Sequence, residues 1–72
     1  MDRYITIEGV KVDLKRVYKT QIEQYNGKYY LWINNHCKWQ CDTLEEATKA
    51  SDEIVSKARE YLKSIGEAPI QT

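Results

Sequence analysis

Along the first third of the chain, apolar side chains recur at every second position. In Tyr4-Ile5-Thr6-Ile7-Glu8 the two isoleucines share one face, and after Gly9 the residues Val10, Val12 and Leu14 alternate with Lys11, Asp13 and Lys15. A two-residue turn at Glu8-Gly9 sets Ile7 against Val10 and Ile5 against Val12, so the apolar set of this predicted hairpin meets on one side. The same parity runs on through Tyr18, Thr20 and Ile22. One strand from 10 to 25 would be about 50 Å long, far beyond the usual length, so a bend, bulge or short turn is expected at residues 13–16.

Tyr25-Asn26-Gly27-Lys28 is the sharpest turn signal, because both central residues of a type I′ turn need positive φ and Asn-Gly supplies it. It pairs Tyr25 with Lys28, Gln24 with Tyr29 and Ile22 with Leu31. Tyr29, Leu31 and Ile33 then share a face with Tyr18, Thr20 and Ile22, while Tyr30 and Trp32 fall on the other. The polar stretch Asn34-Asn35-His36 follows, and its length decides the next strand, since a slip of one residue exchanges the two faces. A three-residue loop is favoured: it pairs Ile33 with Cys37 and Leu31 with Trp39, sends both cysteines to the apolar side, and leaves His36, Lys38 and Gln40 wet.

The period changes at Thr43. Thr43-Leu44-Glu45-Glu46 has the form of a capping box, and Leu44, Ala47, Ala50, Ile54, Val55, Ala58, Tyr61, Leu62 and Ile65 form a helical stripe. Glu45–Lys49 and Glu53–Lys57 are favourably spaced pairs, Gly66 suits the cap that ends the helix, and Pro69 forbids its continuation. The predicted architecture is α+β: a small antiparallel β-meander of about four strands with one C-terminal amphipathic helix, near residues 44–64, packed on one face of the sheet.

Size sharpens this picture. With 72 residues there is room for a single domain, placed at 1–66, with 67–72 as a flexible tail. A domain this small has no core unless the helical stripe packs on its own sheet. The aromatic residues are six Tyr and two Trp with no Phe, a set that suits half-buried sites and interfaces. The formal charge is zero but divided: residues 1–41 hold seven basic and four acidic side chains, residues 42–72 four basic and seven acidic. A mildly basic sheet opposite an acidic helix is therefore expected.

Candidate chemistry is sparse. Cys37 and Cys41, four apart on a strand, lie about 13 Å from each other, too far for a disulfide or one tetrahedral zinc. With His36 they also fall one ligand short of a closed site, so no metal and no cofactor is expected, and both thiols are read as core-facing, unbridged and slow to react. The three serines lie on the helix without a base at matching spacing, the acidic residues there read as a solvated face, and no glycine-rich phosphate loop exists. The chain is expected not to be an enzyme. It has no secretory signal and no apolar run near the ~20 residues of a membrane span, which points to a cytoplasmic protein with reduced thiols and no membrane contact.

What remains is a surface. If the helix covers the Leu31 side, the opposite side presents Tyr30, Trp32 and Tyr25, with Lys28, Lys38 and His36 around them. Aromatic clusters of this kind mark interaction sites, for a protein partner or a second copy, or for stacked bases held by lysines. Residues 28–50, an aromatic strand, a polar turn, a second aromatic strand and then Thr43-Leu44-Glu45-Glu46-Ala47 opening a helix, are similar to the AP2-like and integrase arm-type DNA-binding domains. The resemblance implies a small sheet backed by one helix, with the sheet reading DNA. Those domains look strongly basic and this chain is neutral, so no functional residue is carried over. Two readings stand. The first is a non-catalytic regulator or inhibitor acting by protein–protein interaction, which looks like the small accessory proteins of phages and mobile elements. The alternative is a nucleic-acid-binding module.

Overall fold

A computed structural model describes residues 2–66. Its elements in chain order are β1 (Tyr4–Ile7), β2 (Val10–Asp13), a 3-10 turn (Leu14–Arg16), β3 (Thr20–Tyr25), β4 (Lys28–Ile33), β5 (His36–Cys41) and α1 (Leu44–Ser64). β1 and β2 form a two-stranded ribbon, and β3, β4 and β5 form an antiparallel meander in that order. The fold is α+β as the patterning predicts, with five strands in two sheets. The predicted tail and the role of Pro69 fall outside the described residues.

The first hairpin has the predicted register, Ile7 opposite Val10 and Ile5 opposite Val12. Glu8 and Gly9 both take positive φ, 49° and 77°, as a two-residue turn of the I′ kind requires. The bend at 13–16 is built on Asp13. Its carboxylate accepts from Arg3 Nε and Nη2, both at 2.8 Å, and from the Lys15 N–H at 3.1 Å, which caps the 3-10 turn. Leu14 enters the core with no exposed surface, and the turn resets the alternation. Val17, not Tyr18, becomes the next core residue, at 2% exposure against 67%. The expected continuation of strand parity through Tyr18 therefore fails, because a 3-10 turn does not preserve the two-residue period.

Asn26-Gly27 forms its turn with φ of 50° and 75°, and Tyr25–Lys28, Gln24–Tyr29 and Ile22–Leu31 pair as expected. The next connection departs from expectation. Asn34-Asn35 is a two-residue turn with Asn34 at φ 57°, so Ile33 faces His36 and Trp32 faces Cys37. A β-bulge then lets Cys37 and Lys38 together oppose Trp32, which restores Leu31 opposite Trp39 and Tyr29 opposite Cys41. The Asn34 side chain explains why the shorter turn wins. Its Oδ1 accepts from the N–H groups of Tyr18 and Lys19 at 2.8 and 3.2 Å, and its Nδ2 donates to the Arg16 carbonyl at 2.6 Å. One side chain thus satisfies the irregular backbone before β3, a role that fixes Asn34 in the turn.

α1 begins as predicted, with the Thr43 hydroxyl accepting from the Glu46 N–H at 3.1 Å, and closes at Gly66 with φ 80°. Ala47, Ile54, Ala58 and Leu62 are its buried residues, whereas Leu44 and Ile65, at the two ends of the stripe, are exposed. Lys57 sits 3.9 Å from Glu60. The core joins Val12, Leu14 and Val17 to Leu31, Ile33 and Trp39 of the meander and to Ile54 and Ala58 of the helix. Two polar ties set the layers. Trp39 Nε1 donates to the Ile7 carbonyl at 3.2 Å, fastening the ribbon beside β5, and Thr20 shares a 2.7 Å hydrogen bond with Ser51, fastening β3 to α1. Among the described residues no helix is long and apolar enough to cross a membrane.

Candidate functional site

One helix covers one side of a sheet. On the meander that is the side of Ile22, Leu31, Ile33 and Trp39. Strand alternation therefore turns Gln21, Glu23 and Tyr25 of β3, Lys28, Tyr30 and Trp32 of β4, and Gln40 of β5 to the opposite, open side. Of the sequence-predicted site residues, Tyr25, Lys28, Tyr30 and Trp32 are brought together on this side. Tyr25 is 62% exposed, while Tyr30 and Trp32 are half-buried. The Trp32 indole N–H is sealed from solvent and has no acceptor among the described residues.

His36 and Lys38 do not join this group. His36 stands opposite Ile33, and both residues line a cleft of about 190 Å³ with Lys11, Asp13 and Arg16 at the ribbon side. Cys37 takes a place on the open side opposite Trp32 and is exposed, contrary to the expectation of two core-facing thiols. The cause is the two-residue Asn34-Asn35 turn, which sets Cys37 opposite Trp32, and the bulge after it returns Trp39 and Cys41 to the core side. Sequence spacing alone carries no signal for such an insertion.

The electrostatics of the open face also depart from expectation. Lys28 Nζ lies 2.8 Å from Asp42 Oδ1, a contact that raises the lysine pKa and lowers that of the carboxyl through a shared hydrogen bond. Glu23 adds a negative charge. The face is thus aromatic and amide-rich with no surplus of cations, not the mildly basic sheet expected from the charge division. The partner of Lys28 was not legible because Asp42 lies in the link between β5 and α1.

Cys41 lines a cleft of about 740 Å³ between the ribbon turn, β5 and the first half of α1, together with Glu8, Glu46, Lys49 and Glu53. Burial, then the charges of Glu46, Asp42 and Glu8, push its thiol pKa up, the reverse of what an attacking thiolate needs. Among the described residues no group of three or more His, Cys, Asp or Glu side chains could hold a metal ion. Comparison with known protein families, characterised proteins and solved structures finds no match.

Proposed function

We propose that this chain is a non-catalytic binding protein, a regulator or inhibitor that occludes a larger protein through the open face around Trp32. The observation that carries this reading is the composition of that face: Trp32, Tyr30 and Tyr25 beside Gln21 and Gln40, with its lysine already neutralised by Asp42. Half-buried aromatics supply large contact area with little side-chain entropy to lose, which is what interface hot spots consist of. The unpartnered Trp32 N–H supports the same reading. A buried donor without an acceptor costs about 1–3 kcal/mol, and a partner that moves the ring and offers an acceptor recovers it. Two free thiols are consistent with work in a reducing cytoplasm, where a phage or mobile-element accessory protein would meet its target.

The face favours a protein over a nucleic acid because phosphate tracking needs a run of unneutralised cations. The test is affinity capture from lysate with the wild-type chain and with Trp32→Ala, at low and high salt. The expected result is a protein retained at both salt concentrations and lost with Trp32→Ala. Nucleic acid released steeply by salt, or capture indifferent to Trp32, overturns the reading.

A further inference from the structure

A three-stranded sheet has two outer strands, and this chain treats its two differently. β5 is defended: the bulge at Cys37–Lys38 interrupts its ladder, and the hydrogen bond from Trp39 to the Ile7 carbonyl holds the ribbon beside it. Bulges and covering segments are the usual means by which an edge is kept from pairing. β3 has neither. Its six residues Thr20–Tyr25 pair with β4 in unbroken register, contain no proline, and have no strand on their other side among the described residues.

The parity of the ladder says which groups are free to pair. The Asn26-Gly27 turn makes Tyr25–Lys28 a hydrogen-bonded pair, so Tyr25, Glu23 and Gln21 direct their N–H and C=O groups to β4. The Asn34 N–H on the Lys19 carbonyl, at 2.9 Å, continues the same alternation. The N–H and C=O groups of Thr20, Ile22 and Gln24 therefore point outward.

We propose that this edge pairs with the β3 edge of a second copy of the chain, antiparallel about a two-fold axis at Ile22. In that register Ile22 faces Ile22 of the second copy, Thr20 faces Gln24, and Gln21 faces Glu23. All the outward groups of Thr20, Ile22 and Gln24 then find partners. Ile22, the apolar side chain that the helix leaves half-covered, completes its burial against its own copy on the axis. The register moved by one residue towards Tyr25 sets Glu23 directly against Glu23 of the second copy, a like-charge pair that sheets disfavour. The dimer is closed: its six-stranded sheet exposes only the two defended β5 edges, so growth stops at two copies. The pairing does not depend on the open-face reading, since it uses the rim of the sheet.

An interface of one strand pair is small, at the weak end of protein association. Sedimentation equilibrium up to about 1 mM, the range where such contacts form, should show the mass rising from 8.5 kDa towards twice that value. Gln24→Pro removes an outward N–H and no bond within the sheet, so this variant should stay monomeric with an otherwise native amide spectrum. Gln21→Lys, placed against Glu23 of the second copy, should tighten the dimer several-fold, and Gln21→Glu should loosen it by a similar factor. Gln21 is exposed, so these two variants report even if Gln24→Pro unfolds. A wild-type chain that stays monomeric at 1 mM, or a dimer indifferent to the charge at position 21, overturns the proposal.

Discussion

Leu31 and Trp32 are neighbours in the chain and opposites in burial. Leu31 has no exposed surface and sits in the cluster with Trp39, Ile54 and Ala58, so Leu31→Ala should cost about 2–5 kcal/mol in a denaturant melt. Trp32 is half-buried and carries an unpartnered N–H, so Trp32→Ala should cost about 1–2 kcal/mol, the lost area being offset in part by removal of the orphan donor. A Trp32 variant that melts as early as the Leu31 variant would mean the two faces are assigned the wrong way round. The assignment itself was legible, because the Asn-Gly turn fixes the parity of residues 28–33. The cysteines were not legible in the same way. Cys37 is exposed and Cys41 half-buried with a raised pKa, so a thiol reagent on the native protein should label one site quickly. Cys37→Ser should abolish the fast phase and leave the slow one.

At the scale of elements, strands and helix announced themselves and the joints between them did not. The two-residue turns at Glu8-Gly9 and Asn26-Gly27 and the Thr43 cap follow from local stereochemistry, which the sequence carries. The joint between the ribbon and the meander depends on Asn34, more than fourteen residues away from the backbone it satisfies, a contact that no local pattern encodes. Asn34→Ala would leave the N–H groups of Tyr18 and Lys19 and the Arg16 carbonyl without their partner, and would remove a residue suited to φ 57°. A loss of about 1–3 kcal/mol is expected, with faster amide exchange at residues 17–19 before any other segment. Uniform exchange across the meander would show that Asn34 does not hold this joint.

At the scale of the whole molecule, Asp13 ties Arg3, just before β1, to the end of β2 and to the 3-10 turn that carries Leu14 into the core. Hydrogen bonds from Arg3, opposed by partial burial and helped by the Lys15 N–H, hold the Asp13 pKa below its ordinary value. A carboxyl depressed in the folded state stabilises fully above its unfolded pKa of about 3.9, and the contribution is lost as pH falls through the folded value. Arg3 stays charged throughout this range and adds no pH dependence of its own. Thermal melts should therefore show stability falling below about pH 4, and Asp13→Asn should flatten that decline while lowering Tm at neutral pH. Asp42, similarly depressed by Lys28, is largely exposed, so salt should screen its share and leave that of Asp13. An unchanged acid limb in Asp13→Asn would remove the bridge from this role.

The sequence by itself determined the fold class, two of the three hairpin registers, the capped helix and the sidedness of Leu31 against Trp32. All of these rest on interactions within a few residues or on a fixed period. Only the tertiary structure decided which residues interrupt that period. The 3-10 turn on Asp13 exchanged Tyr18 for Val17 in the core, and the Asn34 turn with its bulge delivered Cys37 to the open face while keeping Trp39 inside. It also drew His36 and Lys38 to the ribbon and tied Lys28 to Asp42, which left the aromatic face without excess positive charge. The Asn34 turn satisfies irregular backbone groups more than fourteen residues away, Lys28 meets Asp42 across two elements, and periodicity carries no record of such partners.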